Sequence, residues 1–360
     1  MKKIVFLFIV ICSSAYKLQA QGCVAIKSNG GYCTMSAHDH VMKDSTPWTL
    51  SINDRFYRSY KHFVGAVEQK QRVDQGTQVI NHANTTDLNL SRRLEKGWSV
   101  AIDIPVIENT RSSLYEHGGK SRHSTSSYGL GDIRLAVYKW IIDPARSAKA
   151  NIQVGLGMKL PTGDYKYQDR FYVNDSTSIV GPVDQSIQLG DGGLGFTVEI
   201  NSYYNVTKGL SLYGNFYYLL NPREQNGTST ARGGVPSTAA MRNGSDIMSV
   251  PDQYMIRAGL NYSVKQFTFS GGIRDERLPA KDLIGGSNGF RRPGYVIAVE
   301  PGVTCRFKKI EVYAYVPFAV KRDRLQSVPD KIRTSQTGVY TQGDAAFADY
   351  AVNIGLNFKF

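Results

Sequence analysis

The side chains in this sequence that could do chemistry are six histidines, four cysteines and a scatter of arginines and carboxylates. His38, His40, His62, His82, His117 and His123 fall ahead of the first expected strand or in expected loops, and none falls on an expected strand. A Ser-His hydrolase built on a rigid wall holds its base on that wall, so a lipase-like site lacks its general base here, a base carried on a loop being the exception. His38-Asp39-His40 has two ligand types close together, but no third ligand stands at a matching spacing, and a solvated polar segment is the simpler reading. The sequence contains no GxGxxG, P-loop, paired CxxC or zinc-protease motif. No catalytic residue, metal site or cofactor is therefore expected. Cys23 and Cys33 flank VAIKSNGGY, whose Gly30-Gly31 can turn the chain back, so export would permit a local disulfide between them. Cys305 reads as a small apolar strand residue.

The elements that must position the charged residues show in the hydropathy pattern. From Trp48 onward, segments of about ten residues alternate apolar and polar, the pattern of strands with one face in lipid and one in a lumen. About twelve are expected, near 48–60, 84–94, 98–108, 129–141, 151–161, 191–205, 210–220, 252–264, 267–276, 294–306, 310–320 and 347–360. The clearest sets Ile152, Val154, Leu156, Met158 and Leu160 against Gln153, Gly155, Gly157 and Lys159. The last sets Tyr350, Val352, Ile354, Leu356, Phe358 and Phe360 against Asp349, Ala351, Asn353, Gly355, Asn357 and Lys359.

Connections alternate as well. Tight ones, such as Glu95-Lys96-Gly97, Val206-Thr207-Lys208-Gly209 and Lys308-Lys309, separate long polar ones near 61–83, 109–128, 162–190, 221–251, 277–293 and 321–346. A compact soluble domain rarely tolerates so many long loops, whereas a transmembrane antiparallel β-barrel has short periplasmic turns and long extracellular loops. An even strand count places both ends in the periplasm. A secreted β-sandwich is the soluble rival, but its strands are shorter and its outer face polar.

Lys2-Lys3, the apolar run Ile4–Cys12 and Leu18-Gln19-Ala20 read as a signal peptide over residues 1–20, with a mature start at Gln21. Lipid anchoring at Cys23 is a weaker alternative, because no Leu stands at the usual position before it. Residues 21–47 read as an irregular segment and 48–360 as the barrel. After the first segment no window offers eighteen consecutive apolar residues, so helical membrane spans are not expected. The 35 Gly and 22 Tyr suit an all-β chain. The formal charge of +13 falls to +10 without Lys2, Lys3 and Lys17. For an exported chain this points to outer-membrane lipid, lipopolysaccharide phosphates or anionic solutes as partners, and to no nucleic acid.

If the apolar face meets lipid, the opposite face places Arg55, Arg93, Arg134, Lys159, Arg257, Arg274 and Arg306 in the lumen. With them stand Asp87, Asp103, Asp132, Glu199, Glu300, Glu311 and Asp349. The two signs nearly balance, so the excess positive charge belongs to loops and turns. In a narrow twelve-strand lumen such groups would pair, either as a structural network or as a polar constriction that orients small solutes. Trp48, Trp98, Tyr138, Trp140, Tyr254, Tyr295 and Tyr315 read as girdle or lumen-wall residues.

Two stretches carry a family resemblance. Gly129-Leu130-Gly131-Asp132-Ile133-Arg134-Leu135, running on to Tyr138-Lys139-Trp140, and Lys159-Leu160-Pro161-Thr162-Gly163-Asp164 resemble the outer-membrane barrel proteins associated with the meta-pathway of phenol degradation. The resemblance implies a barrel in the cell outer membrane and transport of small aromatic or other hydrophobic compounds. By residue chemistry alone, both motifs are accounted for by strand entry, strand exit and turns. The expected function is a channel or uptake protein for small molecules, inserted by the barrel-assembly machinery through a terminal strand ending at Phe360. The alternative is a structural or surface-interaction barrel with a plugged lumen and functional external loops. A membrane enzyme is a third option.

Overall fold

A computed structural model describes residues 47–174 and 176–360. The signal peptide, the Cys23–Cys33 pairing, His38-Asp39-His40 and nearly all of the 21–47 segment lie outside the described residues. β1 (Trp48–Ser59) leads to a long connection carrying β2 (Lys61–Val64) and β3 (Val67–Glu68). β4 (Ile80–Arg93) and β5 (Trp98–Ser113) form the first tight hairpin, and the chain returns through β6 (His123–Leu130) and β7 (Arg134–Trp140). β8 (Ala150–Lys159) is followed by a long connection with a hairpin of β9 (Gln168–Tyr172) and β10 (Ser178–Pro182). β11 (Gly195–Asn205) and β12 (Leu210–Leu220) come next, then a connection with β13 (Gln225–Ser229) and β14 (Ile247–Ser249). β15 (Gln253–Val264), β16 (Phe267–Leu278), β17 (Gly294–Phe307), β18 (Ile310–Tyr315) and β19 (Phe318–Arg324) follow, and β20 (Ala345–Phe347) precedes the final β21 (Ala351–Lys359).

Twelve of these strands close a ring in sequence order, β1, β4, β5, β7, β8, β11, β12, β15, β16, β17, β18 and β21, each antiparallel to its neighbours. β1 closes it against β21, with Thr49 opposite Lys359 and Tyr57 opposite Ala351. Closure leaves no free sheet edge in the ring and rules out the sandwich. Each of the ten wall strands between β1 and β21 joins at one end through a short turn and at the other through a long connection, as the alternation of loop lengths predicts. Three of the turns bend on a lysine in the left-handed region: Lys96 (φ 55°), Lys265 (φ 53°) and Lys308 (φ 47°).

The burial pattern inverts that of a soluble protein. Leu156, Leu260, Ile273, Val299 and Ile354 point outward and are exposed, whereas Asn89, Gln153, Glu300 and Asn353 point inward and are wholly buried. A continuous apolar wall of this size belongs in lipid. Alternation on β8 and β21 is as expected from the sequence.

Several expected boundaries differ. The strand expected over 129–141 is two strands, because Gly131, Asp132 and Ile133 interrupt the ladder: β5 pairs Val106 with Leu130 and then Asp103 with Arg134, leaving an extra residue on the returning side. Pro105 lies opposite this interruption and has no N–H to donate. The strand expected over 310–320 breaks likewise at Val316-Pro317. Nor are the long connections structureless, since they contain short strands and a ten-residue helix, Val328–Thr337, with a Ser327–Asp330 capping box. The expectation that no histidine lies on a strand is also corrected, because His62, His82 and His123 lie on β2, β4 and β6. His82 faces outward at the long-loop end of the wall, away from the lumen.

Candidate functional site: the barrel lumen

The lumen has a lower part, towards the short turns, and an upper part beneath the long connections. Side chains fill the lower part up to about mid-wall, where Arg257, Arg274 and Glu300 lie near the middle of β15, β16 and β17. Arg257 Nε donates to Glu300 Oε1 at 2.9 Å, Arg274 Nη1 to Glu300 Oε2 at 3.2 Å, and Arg274 Nε to Glu276 Oε1 at 3.0 Å. The Arg257 guanidinium also lies 5.1 Å from the Tyr315 ring centroid. Across the barrel, Arg134 pairs with Glu199, and Tyr138 donates to Glu199 Oε2 at 3.1 Å. These ions are almost wholly shielded from water, so each needs its partner, because an unpaired charge here would keep its full desolvation cost.

Aromatic rings over glycines complete the filling. A Cβ on Gly155 would sit 2.5 Å from the Tyr138 ring, and one on Gly355 would sit 2.1 Å from Tyr313 Cζ. Glycine at these positions lets a neighbouring strand's ring lie flat against the backbone. The alternating polar face of β8 and β21 is thus partly a set of seats for tyrosines.

Most expected lumen residues lie where the alternation placed them. Arg55, Asp87, Asp103, Arg134, Lys159, Glu199, Arg257, Arg274, Glu300 and Glu311 are buried inside the ring. Arg306 is half-buried near the short-turn end, with its Nη2 donating to Glu311 Oε2 at 2.7 Å. Two positions need correction. Arg93 has the inward parity but stands exposed at the last residue of β4, beyond the packed interior. Asp349 precedes β21 instead of lying on it, and at the long-loop end it pairs with Lys61 at 2.9 Å and with Arg322. Asp132 lies in the interruption between β6 and β7.

The two motifs singled out in the sequence meet at this interruption. Lys159 Nζ donates to Asp132 Oδ2 at 3.0 Å and to the Gly193 carbonyl at 2.7 Å, and it also pairs with Asp191. Asp132 Oδ1 accepts from Gly163 N at 3.0 Å, and Thr162 Oγ1 accepts from Ile133 N at 2.8 Å while donating to the Gly131 carbonyl at 2.8 Å. Gly163 and Gly190 allow the close approach: a Cβ on Gly163 would lie 2.7 Å from the Leu189 carbonyl oxygen. The motifs therefore clasp the segment around Leu189–Gly193 against the wall.

That segment belongs to the connection between β8 and β11, which folds into the barrel mouth. Val183 and Ile187 are fully buried there, and Asn109 of β5 donates to the Ile187 carbonyl at 3.4 Å. Asp184 ties two connections to the wall, lying 2.7 Å from Arg292 and 3.5 Å from Arg111 of β5, which itself lies 2.9 Å from Glu116. Burial opposes ionisation of Asp184, but Arg111 and Arg292 outweigh it and hold the carboxyl well below the usual range. Glu116 is likewise held low, burial being outweighed by Arg111 and then Arg232.

Between this cap and the lower layer lies a cavity of about 100 Å³. Its lining mixes apolar side chains, among them Ile107, Leu189, Leu219, Met248 and Leu278, with charged and polar ones such as Asp132, Arg134, Lys159, Gln188 and Tyr217. Sequence reasoning missed Glu276, Asp191, Asp184, Arg111, Arg292 and Tyr217. Glu276 and Tyr217 share the inward parity of Arg274 and Asn215 and were open to the same rule, as was Arg111, which shares that of Asp103 on a β5 longer than expected; Asp184, Asp191 and Arg292 lie in connections and carry no periodic signal.

No family model matches the chain, and no curated protein sequence matches it. Solved structures do. An outer-membrane channel from Pseudomonas putida F1 is similar over 91% of this chain and 100% of its own, with a TM-score of 0.61 at 9% identity. The monoaromatic hydrocarbon channel CymD matches over 96% of this chain and 99% of its own, with a TM-score of 0.46 at 9% identity. The Pseudomonas putida toluene transporter TodX matches over 88% and 89%, with a TM-score of 0.44 at 6% identity. At such identities the first likeness is one of fold: a closed twelve-strand antiparallel barrel of the outer-membrane kind.

Proposed function

We propose that the protein is a channel or uptake protein of the cell outer membrane for small molecules, with hydrophobic or aromatic compounds as the favoured class. The observation that carries this reading is the cavity inside a lipid-facing barrel, lined by apolar side chains together with ordered ion pairs. A plain structural barrel has no need of a chamber under a folded cap. The motifs that resemble the phenol meta-pathway barrels build the clasp on that cap, which agrees with membership of that family, as does the shared fold of the Pseudomonas putida channel. In this reading the short turns face the periplasm, the long connections meet lipopolysaccharide, and the barrel-assembly machinery engages the final strand ending at Phe360. Purified protein in liposomes should speed the entry of small apolar solutes over empty vesicles; wild-type rates equal to the empty control would overturn the reading.

The tight filling of the lower lumen favours a second reading, a plugged barrel whose long connections bind a surface partner. Deleting the β9–β10 hairpin separates the two. It should abolish partner binding in the second case and leave or raise solute entry in the first.

A further inference from the structure

The excess positive charge of the chain sits at one end of the barrel. The six long connections together carry eighteen basic and seventeen acidic side chains. The five short turns, each taken with the two residues on either side, carry ten basic side chains against two acidic ones, apart from Arg306 and Glu311, which pair with each other. Arg92, Arg93 and Lys96 stand at the first turn with Glu95, and Lys139, Arg146 and Lys149 at the second with Asp143. Lys208, Lys265, Lys308 and Lys309 occupy the other three. Nothing else in the sequence at this end offsets them: Lys359 and the Phe360 carboxylate add one charge of each sign, and ahead of the wall Lys27 and Lys43 balance Asp39 and Asp44.

Nine of the ten are exposed and Lys139 is half-buried. They stand right round the ring, because every second junction between wall strands contributes. Lys96, Lys265 and Lys308 have left-handed backbones, where glycine or asparagine sits with less strain, so the turns carry charge against their backbone preference. Ten cations on one rim repel each other, and an anionic surface laid against the rim relieves that repulsion.

The rings beside these cations indicate which surface. The Arg92 guanidinium lies 5.2 Å from the Trp48 ring centroid, the Lys139 ammonium 5.2 Å from that of Trp98, and the Lys149 ammonium 5.0 Å from that of Tyr204. Trp48, Trp98 and Tyr204 continue the outward parity of Leu50, Val100 and Ile200, so each marks the lower edge of the lipid-facing wall. Such rings settle at headgroup depth, and a long basic side chain lying on one carries its charge to the same level. These cations therefore stand among the headgroups that surround the barrel, not in its mouth.

We infer that the short-turn rim is a collar that binds the headgroups of anionic phospholipids in the leaflet it meets. On the periplasmic placement of the short turns given above, on which this rests, that leaflet is the inner one of the outer membrane. A net negative headgroup meets the cations of the collar while its acyl chains lie along the apolar wall. The long connections, balanced in charge, exert no comparable pull on the opposite leaflet.

The three tryptophans of the chain, Trp48, Trp98 and Trp140, all lie at this rim, so quenching of their fluorescence by lipid brominated near the headgroup reads which lipid stands there. The full mature protein is reconstituted in mixed bilayers of phosphatidylglycerol and phosphatidylcholine with one or the other brominated, and each variant is checked for folding by heat-modified gel migration. Phosphatidylglycerol should be favoured at least about fivefold at low salt, and the ratio should fall towards one by about 0.5 M salt. Combining Arg92→Gln, Lys139→Gln and Lys149→Gln should bring the ratio below about twofold, whereas removing the same charge from the long connections, with Lys70→Gln, Lys120→Gln and Lys331→Gln, should leave it unchanged. Equal quenching by the two lipids, or a preference that neither salt nor the rim substitutions reduce, would overturn the collar and leave the rim to a soluble acidic partner. Antibody access in intact cells to an epitope inserted after Val235 reads the placement separately. Access with equal quenching overturns the collar alone, and no access with a phosphatidylglycerol preference overturns the assignment to the inner leaflet.

Discussion

The lower and upper parts of the lumen are built from the same strands and differ in what fills them. Below, residues of opposite charge on neighbouring strands meet directly, as Arg257, Arg274 and Glu300 do, and tyrosines lie over glycines. Above, segments of the β8–β11 and β16–β17 connections fold in and pair with each other and with Arg111 and Asn109 of β5. The lesson is that a barrel of this width can be filled by its wall alone, and that a chamber appears only where the wall stops filling itself and loops close the space from above.

The largest effect should come from the lower layer. Glu300→Leu leaves Arg257 and Arg274 without their shared carboxylate, and the barrel should lose about 3–5 kcal/mol on urea unfolding from detergent or lipid. A loss under about 1 kcal/mol would show that water reaches this layer, and the contrast between the two halves would fail. Next is Lys159→Met, which leaves Asp132 and Asp191 facing each other without their cation. The clasp should open, seen as faster proteolysis or hydrogen exchange around Leu189–Gly193 and as raised solute entry, with global stability changed by only about 1–3 kcal/mol. Unchanged exchange there would mean that Gly163 packing and the backbone hydrogen bonds alone hold the segment.

Filling the chamber is a smaller structural change with a specific readout. Leu219→Trp should cost about 1–3 kcal/mol through overpacking and should block solute entry. Normal entry in a folded variant would place the path elsewhere. Acid should act on the cap before the wall. Because Asp184 and Glu116 have folded values below their ordinary 3.8 and 4.5, their contribution is fully present above those values. It is lost as pH falls below them towards the folded values. Exchange in the 183–193 segment should therefore rise below about pH 4 while wall amides stay protected; simultaneous loss of both would make cap and wall one cooperative unit. The smallest effect belongs to the tight turns. Lys265→Gly relieves a left-handed lysine and should change stability by no more than about 1 kcal/mol, with solute entry unaltered.

The wall was legible in the sequence because each strand must show alternate faces to two different media. That two-residue rule placed Arg55, Asp103, Glu199, Arg257 and Glu300 inside without any knowledge of their partners. It failed at Arg93 and Asp349, where the parity continues after the packed interior or the strand has ended. It also ran past Gly131–Ile133 and Val316-Pro317, since an extra residue or a proline shifts a ladder locally without disturbing the average alternation on either side.

What the sequence by itself determined is therefore the class of fold, the number of wall strands, the direction each face points and the alternation of short and long connections. All of these follow from local periodicity. What only the tertiary structure decided is which charges pair, that Lys159 clasps Asp132 and Asp191, and that Asp184 joins two connections to β5 over a chamber. The physical reason is that these contacts join residues far apart in the chain through loops with no repeating pattern. Their geometry is set by closure of the ring, which brings the connections together over one mouth.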